Sequence, residues 1–250
     1  MQLTSPQLII LEKVDSTNNY AMAMVHKNTV STGDAVFAKE QTAGKGRRSK
    51  TWESEKGKNI ILSIVTQMQW LPVQEQFNLS MAVALGCLDF FSKYTNENIK
   101  IKWPNDIFIN DRKAGGILIE NIIHGNLWQW SIIGIGLNIN QLNFSNDKLH
   151  AISLQQLTGR SYDVIELARE LHEIVLKKLQ ELKTGEKNKM LKSYNENLFA
   201  LNKKVILRKG NIVFETRIKG VTETGELLAK DVIERSFGFD EIEWMGLQKK

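Results

Sequence analysis

The feature that most constrains the fold is a glycine-rich basic turn, Gly44-Lys45-Gly46-Arg47-Arg48, close behind the apolar β-type segment Ala35–Ala38. Two nucleotide-binding architectures are excluded at once. No Gly-Lys-Ser/Thr closes the turn, so it is not a Walker A loop. Ser49 stands where the third glycine of the dinucleotide fingerprint would be. Strands and helices also follow one another without regular βαβ alternation, which argues for an α+β sheet domain.

Gly44 and Gly46, one residue apart, let the backbone reach positive φ and bring N–H groups close to a ligand. Lys45, Arg47 and Arg48 add charge-assisted donors suited to phosphate or carboxylate. A second segment, Lys102-Trp103-Pro104-Asn105-Asp106, ends an alternating run. Lys102 alternates with Ile99 and Ile101, so it faces the other side of the sheet, and Pro104 interrupts the pairing. The spacing leaves two readings for Lys102: a snorkelling surface lysine or a fixed cation inside a pocket.

The 250 residues allow one large domain or a medium domain with an appendage. Hydrophobic residues form 42% of the chain, enough for a core without a metal or disulfide staple. The net charge of +5 invites a nucleic-acid reading. Acidic residues are spread along the chain, however, and the local excess of seven Lys or Arg over three Glu between Lys39 and Lys58 marks a local anion site. The lone Cys87 fits a core position and a reducing compartment. Met1–Pro6 has no leader pattern, and no apolar run spans a membrane, so a cytoplasmic protein is expected.

The pattern predicts strands over Leu8–Leu11, Ala35–Ala38, Asn59–Thr66, Ile99–Trp103, Ile107–Asn110, Gly116–Ile122 and Leu127–Asn140. Helices are expected after Asp15-Ser16-Thr17-Asn18, with Tyr20, Met24 and Val25 on the apolar face, over Glu75–Tyr94, and from the cap Asp163 to about Leu182. Beyond Leu201 the chain reads as a small β-barrel with strands Val205–Leu207, Ile212–Ile218, Leu227–Ala229 and Phe237–Ile242. Capping accounts for Ser16-Thr17-Asn18; helix N-termini also bind anions and polar heterocycles. Gly115, Gly116, Gly134 and Gly136 lie inside strands, where glycine marks a bulge or the close approach of a ligand or backbone. The four histidines have no metal-site spacing, and no metal ligand set is expected.

Taken in order, Ser16-Thr17-Asn18, Gln41 to Arg48 with Trp52, Lys102 to Asp106, Lys113-Ala114-Gly115-Gly116-Ile117-Leu118-Ile119-Glu120 and Gly134-Ile135-Gly136-Leu137-Asn138 resemble the biotin protein ligases. The resemblance implies a mixed sheet with flanking helices, like class II aminoacyl-tRNA synthetases and biotin–lipoate ligases. It implies a catalytic domain over residues 1–200 and an SH3-like barrel over 201–250. Because the pattern begins within the first fifteen residues, the monofunctional type without a DNA-binding domain is expected. The implied substrates are biotin and ATP, with Mg²⁺ carried by ATP, and the implied partner is a biotin carboxyl carrier domain. No DNA or membrane partner is expected, and the chain would be a monomer or homodimer.

The resemblance assigns Lys102 the place between biotin carboxylate and α-phosphate. It assigns phosphate binding to Arg47 and Lys45, with Arg48 nearby and backbone donors from Gly44 and Gly46. It places Ser16, Thr17 and Gln41 at the polar ureido end, Asn18 among the substrate-binding residues, Trp52 over the adenine, and Asn105, Lys113 and Asn138 by the nucleotide. Gly115, Gly116, Gly134 and Gly136 would contact the substrate. The glycine loop is expected to order on ligand binding. Lys45 departs from the arginine or glutamine common there, keeping charge but losing the bidentate fork of arginine.

Overall fold

The computed structural model describes residues 6–145 and 150–247; the segment 1–5, read above for a leader, lies outside them. The first sheet has seven strands: β1 (Leu8–Leu11), β2 (Ala35–Ala38), β3 (Ile60–Gln67), β4 (Ile99–Lys102), β5 (Asp106–Ile109), β6 (Arg112–His124) and β7 (Leu127–Leu137). Their order is β1-β2-β3-β7-β6-β5-β4. Only β1 and β2 run parallel, so the sheet is mixed. Asn110 and Asp111, both at positive φ, make the two-residue turn between β5 and β6, as hairpin twist requires.

Alternation divides the sheet into two faces. Ile60, Leu62, Ile64, Ile133 and Ile135 enter the main core beneath α2 (Gln76–Ser92) and α4 (Val164–Lys183). Helix α2 is buried almost all round because it lies between the sheet and α4. Asp163 caps α4 by accepting from the N–H groups of Ile165 and Glu166, satisfying two donors that a helix start leaves open. The short α3 (Leu154–Thr158), which the hydrophobic pattern does not announce, carries a capping box from Ser153 and Gln156.

The opposite face holds α1 (Thr17–His26), whose Ala21 and Val25 meet Val36, Val65 and Ile132. Its buried residues are Thr17, Asn18, Ala21 and Val25, whereas Tyr20 is 38% exposed. The expected face is therefore rotated, because the helix turns polar residues inward at its start. Ser16 sits at the N-cap but makes no side-chain capping bond, so capping does not account for it.

After α5 (Lys187–Glu196) come β8 (Lys204–Lys209), β9 (Ile212–Val221), β10 (Leu227–Lys230), β11 (Glu234–Phe237) and β12 (Glu243–Leu247). They form a small antiparallel sheet in the order β11-β10-β9-β8-β12. The predicted last strand Phe237–Ile242 is instead mostly the connection between β11 and β12. This sheet is bolted to the first one. The buried indole N–H of Trp103 donates to the Gly225 carbonyl at 2.9 Å, and the Trp103 ring stacks on Phe239. The tryptophan of the Lys102–Asp106 segment thus joins the two sheets.

Candidate active site

Cross-strand register builds the floor of the site. Lys102 pairs with Asp106, Asp106 with Gly116, Gly116 with Gly136, and Gly136 with Ile61. These five residues form one row across five strands, on the face away from the main core. The next row on that face runs Leu118, Gly134, Ser63 and Val36. Gly116, Gly134 and Gly136 leave a trough without side chains, open to a cavity of about 780 Å³. The Trp52 ring lies over it: a Cβ on Gly136 would meet Trp52 Cζ2 at 2.6 Å, and one on Gly116 would meet Cζ3 at 3.3 Å.

At one end of the trough the side chains are polar and linked. Gln41 Oε1 accepts from the Thr17 N–H at 2.7 Å and from its hydroxyl at 3.1 Å. Ser63 Oγ lies 2.7 Å from Thr17 Oγ1 and 2.6 Å from Asn18 Oδ1. Asn18 Nδ2 donates to Glu120 at 2.6 Å, and a Cβ on Gly134 would meet Asn18 Oδ1 at 2.5 Å. Ser16, Thr17 and Asn18 are buried, so their hydrogen-bonding groups hold fixed directions. Ser63 is a new member that alternation puts on this face but nothing in its own neighbours marks; Glu120 ends the run from Lys113 to Glu120 without a role assigned there.

The glycine loop is a narrow ribbon. Trp52 N–H donates to the Gly44 carbonyl, Lys45 bridges Thr51, and Gly46 N–H donates to the Lys50 carbonyl at 2.7 Å. Gly44 does not line the cavity; a Cβ there would strike the Trp52 carbonyl and Gln41. Its job is close packing, and Gly46 spends its donor inside the loop. The expected positive φ falls on Arg48 (φ 53) instead. Gly115 also lies off the cavity, since a Cβ would strike Leu137 and meet the Gly136 carbonyl at 2.9 Å. All the other residues expected at the site line the one cavity.

The cations differ in their partners. Lys113 pairs with Asp106 at 2.7 Å. Lys45 donates to Asn19 at 2.6 Å and lies 3.8 Å from Glu120, so its charge is directed to the α1 end. Arg47 and Arg48 both reach Asp240 of the C-terminal sheet, and Arg47 also lies over Phe239. Burial pulls Arg47 below its ordinary pKa, against Asp240. Burial likewise lowers Lys102, with Asp106 opposing and Lys113 and Lys50 adding to the fall. Among the described residues no carboxylate lies at ion-pair distance from Lys102. The pocket reading of this lysine therefore holds.

Asn105 lines the cavity but donates to the Ile117 carbonyl at 2.8 Å. Asn138 is buried and donates to the carbonyls of Lys113 and Ile152, both at 3.2 Å. Both amides fix the trough wall. Asp106, Phe239, Ile242 and Trp244 also line the cavity. Cys87 is buried, and burial raises its thiol, leaving no nucleophile there. Among the described residues no group of three or more His, Cys, Asp or Glu is placed to hold a metal, and no helix is long and apolar enough to cross a membrane.

A mixed sheet with helices, joined to a small C-terminal sheet, is shared with solved biotin protein ligases. The structure of biotin protein ligase from Aquifex aeolicus in complex with biotin and ATP matches 96% of this chain and 99% of that one, with a TM-score of 0.81 at 23% identity. That likeness concerns the fold. A model of the biotin/lipoate A/B protein ligase family matches residues 10–138, and the chain belongs to that family. The bifunctional ligase/repressor BirA of Bacillus spizizenii is 33% identical over 165 residues, which are 65% of this chain and 50% of that protein. The biotin–[acetyl-CoA-carboxylase] ligase of Mycobacterium tuberculosis is 31% identical over 138 residues, 54% of this chain and 50% of that one. The chain spans about half the length of these relatives.

Proposed function

We propose that this chain activates biotin with ATP and transfers it to a lysine of a biotin carboxyl carrier domain. One observation carries the reading: a single cavity joins the buried Ser16 and the linked polar groups of Thr17, Asn18 and Gln41 to a lysine without a carboxylate partner among the described residues and to the arginine loop. The polar end offers donors and acceptors for a ureido ring, and the glycine trough takes the flat body and chain of the substrate. Lys102 neutralises the carboxylate as it approaches a phosphate that is itself anionic. Arg47 and Arg48 supply guanidinium forks for the phosphates. Trp52 covers the adenine side.

In the first half-reaction a carboxylate oxygen bonds to the α-phosphorus, the bond to the bridging oxygen breaks, and pyrophosphate leaves. In the second, the acceptor lysine amine bonds to the acyl carbon, loses a proton, and AMP leaves with the C–O electron pair. Mg²⁺ arrives with ATP, held by phosphate oxygens and water.

The test is ATP–pyrophosphate exchange with purified protein, with biotin, lipoate or octanoate as the acid. Exchange dependent on biotin alone is expected and should vanish in a folded Lys102→Ala variant. Exchange with lipoate or octanoate instead would move the substrate to the sister branch. Biotin binding without exchange would make the chain a binder.

A further inference from the structure

Lys102 is held in an unusual way for a half-buried ammonium. Its Nζ lies 4.6 Å from the ring centre of Phe108, 5.4 Å from that of Trp244 and 5.7 Å from that of Phe199. Three aromatic faces within about 6 Å make a cation–π cage. The rings come from distant parts of the chain: β5, the link after α5, and β12 of the C-terminal sheet.

Trp244 reaches this place through a local device. The pairing of β12 with β8 shifts register between Trp244 and Gly246, and such a bulge redirects a side chain. Gly246 takes a φ of 150° beside it. Next door, Met245 is 52% exposed, while Trp244 turns to the cavity and packs edge-on against Phe199 at 6.0 Å. Its indole N–H is buried without a partner among the described residues. The ring is therefore placed by packing, not by a hydrogen bond.

We propose that Trp244 is a positioning residue for Lys102: with Phe108 and Phe199 it fixes the ammonium while leaving all three N–H donors uncommitted. A carboxylate in the same place would neutralise the lysine and compete with an incoming anion. A ring face attracts the charge through its quadrupole and accepts no conventional hydrogen bond. The neighbouring charges are otherwise engaged: Asp106 pairs with Lys113, Glu243 pairs with Arg208, and Lys50 only repels. The C-terminal sheet thereby completes the lysine's setting. The catalytic consequence rests on the function proposed above.

The experiment uses the whole chain with Trp244→Leu, Trp244→Phe and, as a second cage variant, Phe199→Leu. In biotin-dependent exchange, Trp244→Leu should lower kcat about tenfold, with KM for biotin and ATP changed less than about threefold. Trp244→Phe keeps a ring and should restore most of kcat. Independently, lysine Cε-labelled NMR should show the Lys102 methylene protons shifted by the ring currents, identified by their loss in Lys102→Arg. Trp244→Leu and Phe199→Leu should each move that resonance toward the ordinary lysine position, and Trp244→Phe should not. An unmoved resonance in both leucine variants, or equal kcat in Trp244→Leu and wild type, overturns the proposal, as does equal loss in the leucine and phenylalanine variants. If the wild-type chain exchanges no pyrophosphate, the functional reading fails, and the NMR arm still decides the cage.

Discussion

A single carboxylate oxygen of Asp240 stands 3.0 Å from Arg47 Nη2 and 3.1 Å from Arg48 Nε. The two arginines of the glycine loop are thus tied to the connection between β11 and β12. A phosphate arriving at the loop must share those guanidinium groups with Asp240 or displace it. The side chain of Asp240 is largely exposed, so the pair adds at most about 1 kcal/mol to stability. Asp240→Asn should therefore melt close to wild type yet bind ATP up to about fivefold more tightly at low salt. Calorimetric titration checks this; weaker ATP binding by the folded variant would show that Asp240 orients the loop instead of competing for it.

Two of the three trough glycines, Gly134 and Gly136, should separate the two substrates. A methyl on Gly134 meets Asn18 Oδ1 at 2.5 Å and the Leu118 carbonyl at 3.0 Å, whereas one on Gly136 meets only the Trp52 ring among its nearest neighbours. Gly134→Ala should raise KM for biotin about tenfold or more by disturbing the polar end. Gly136→Ala should lift Trp52 off the trough and weaken ATP more than biotin. Initial-rate measurements on both variants decide it, and the assignment of the two ends fails if both variants affect the same substrate.

Much of this site was legible because its chemistry lies in short segments. Ser16–Asn18, the basic loop and Lys102 each carry a local signature, and alternation alone put Lys102 on the face away from Ile99 and Ile101. What escaped depends on register or distance. Asp106 reads as a turn residue until pairing places it between Lys102 and Gly116. Ser63 and Glu120 become site residues only through their neighbours on α1. Asp240 and Trp244 arrive from the far end of the chain, and a bulge no periodicity announces aims Trp244. Glycine misleads in the other direction: Gly44 and Gly115 satisfy packing against Trp52 and Leu137, which composition cannot distinguish from room left for a ligand.

The alkaline side of the rate profile should report Lys102. Burial lowers its pKa and Asp106 holds it up, with Lys113 and Lys50 working against the charge. If adenylation needs the ammonium, the rate should fall at a pH below that of an ordinary lysine, about 10.4. Asp106→Asn removes the attraction and frees Lys113 from its partner, and both changes push the limb to lower pH. Exchange rates measured between about pH 7 and 10 test the assignment; a limb that stays in place in Asp106→Asn would separate it from Lys102.

Stability at mildly acid pH should follow His172. This side chain is buried, and its Nε2 lies 2.6 Å from the Gly33 carbonyl, to which the neutral ring donates. Burial lowers its pKa more than Gly33, Glu173 and Asp34 raise it. The unfolded chain takes up a proton near pH 6.5, while the folded chain resists until lower pH. Between those two values the unfolded state binds more protons, so stability rises with pH. The contribution is complete above the unfolded value and is lost as pH falls through the window to the folded value. His172→Gln keeps a donor for Gly33 but does not titrate. Its urea midpoint should change less between about pH 7.5 and 5.5 than that of wild type. Equal slopes in the two proteins would mean that His172 does not control this limb of the stability curve.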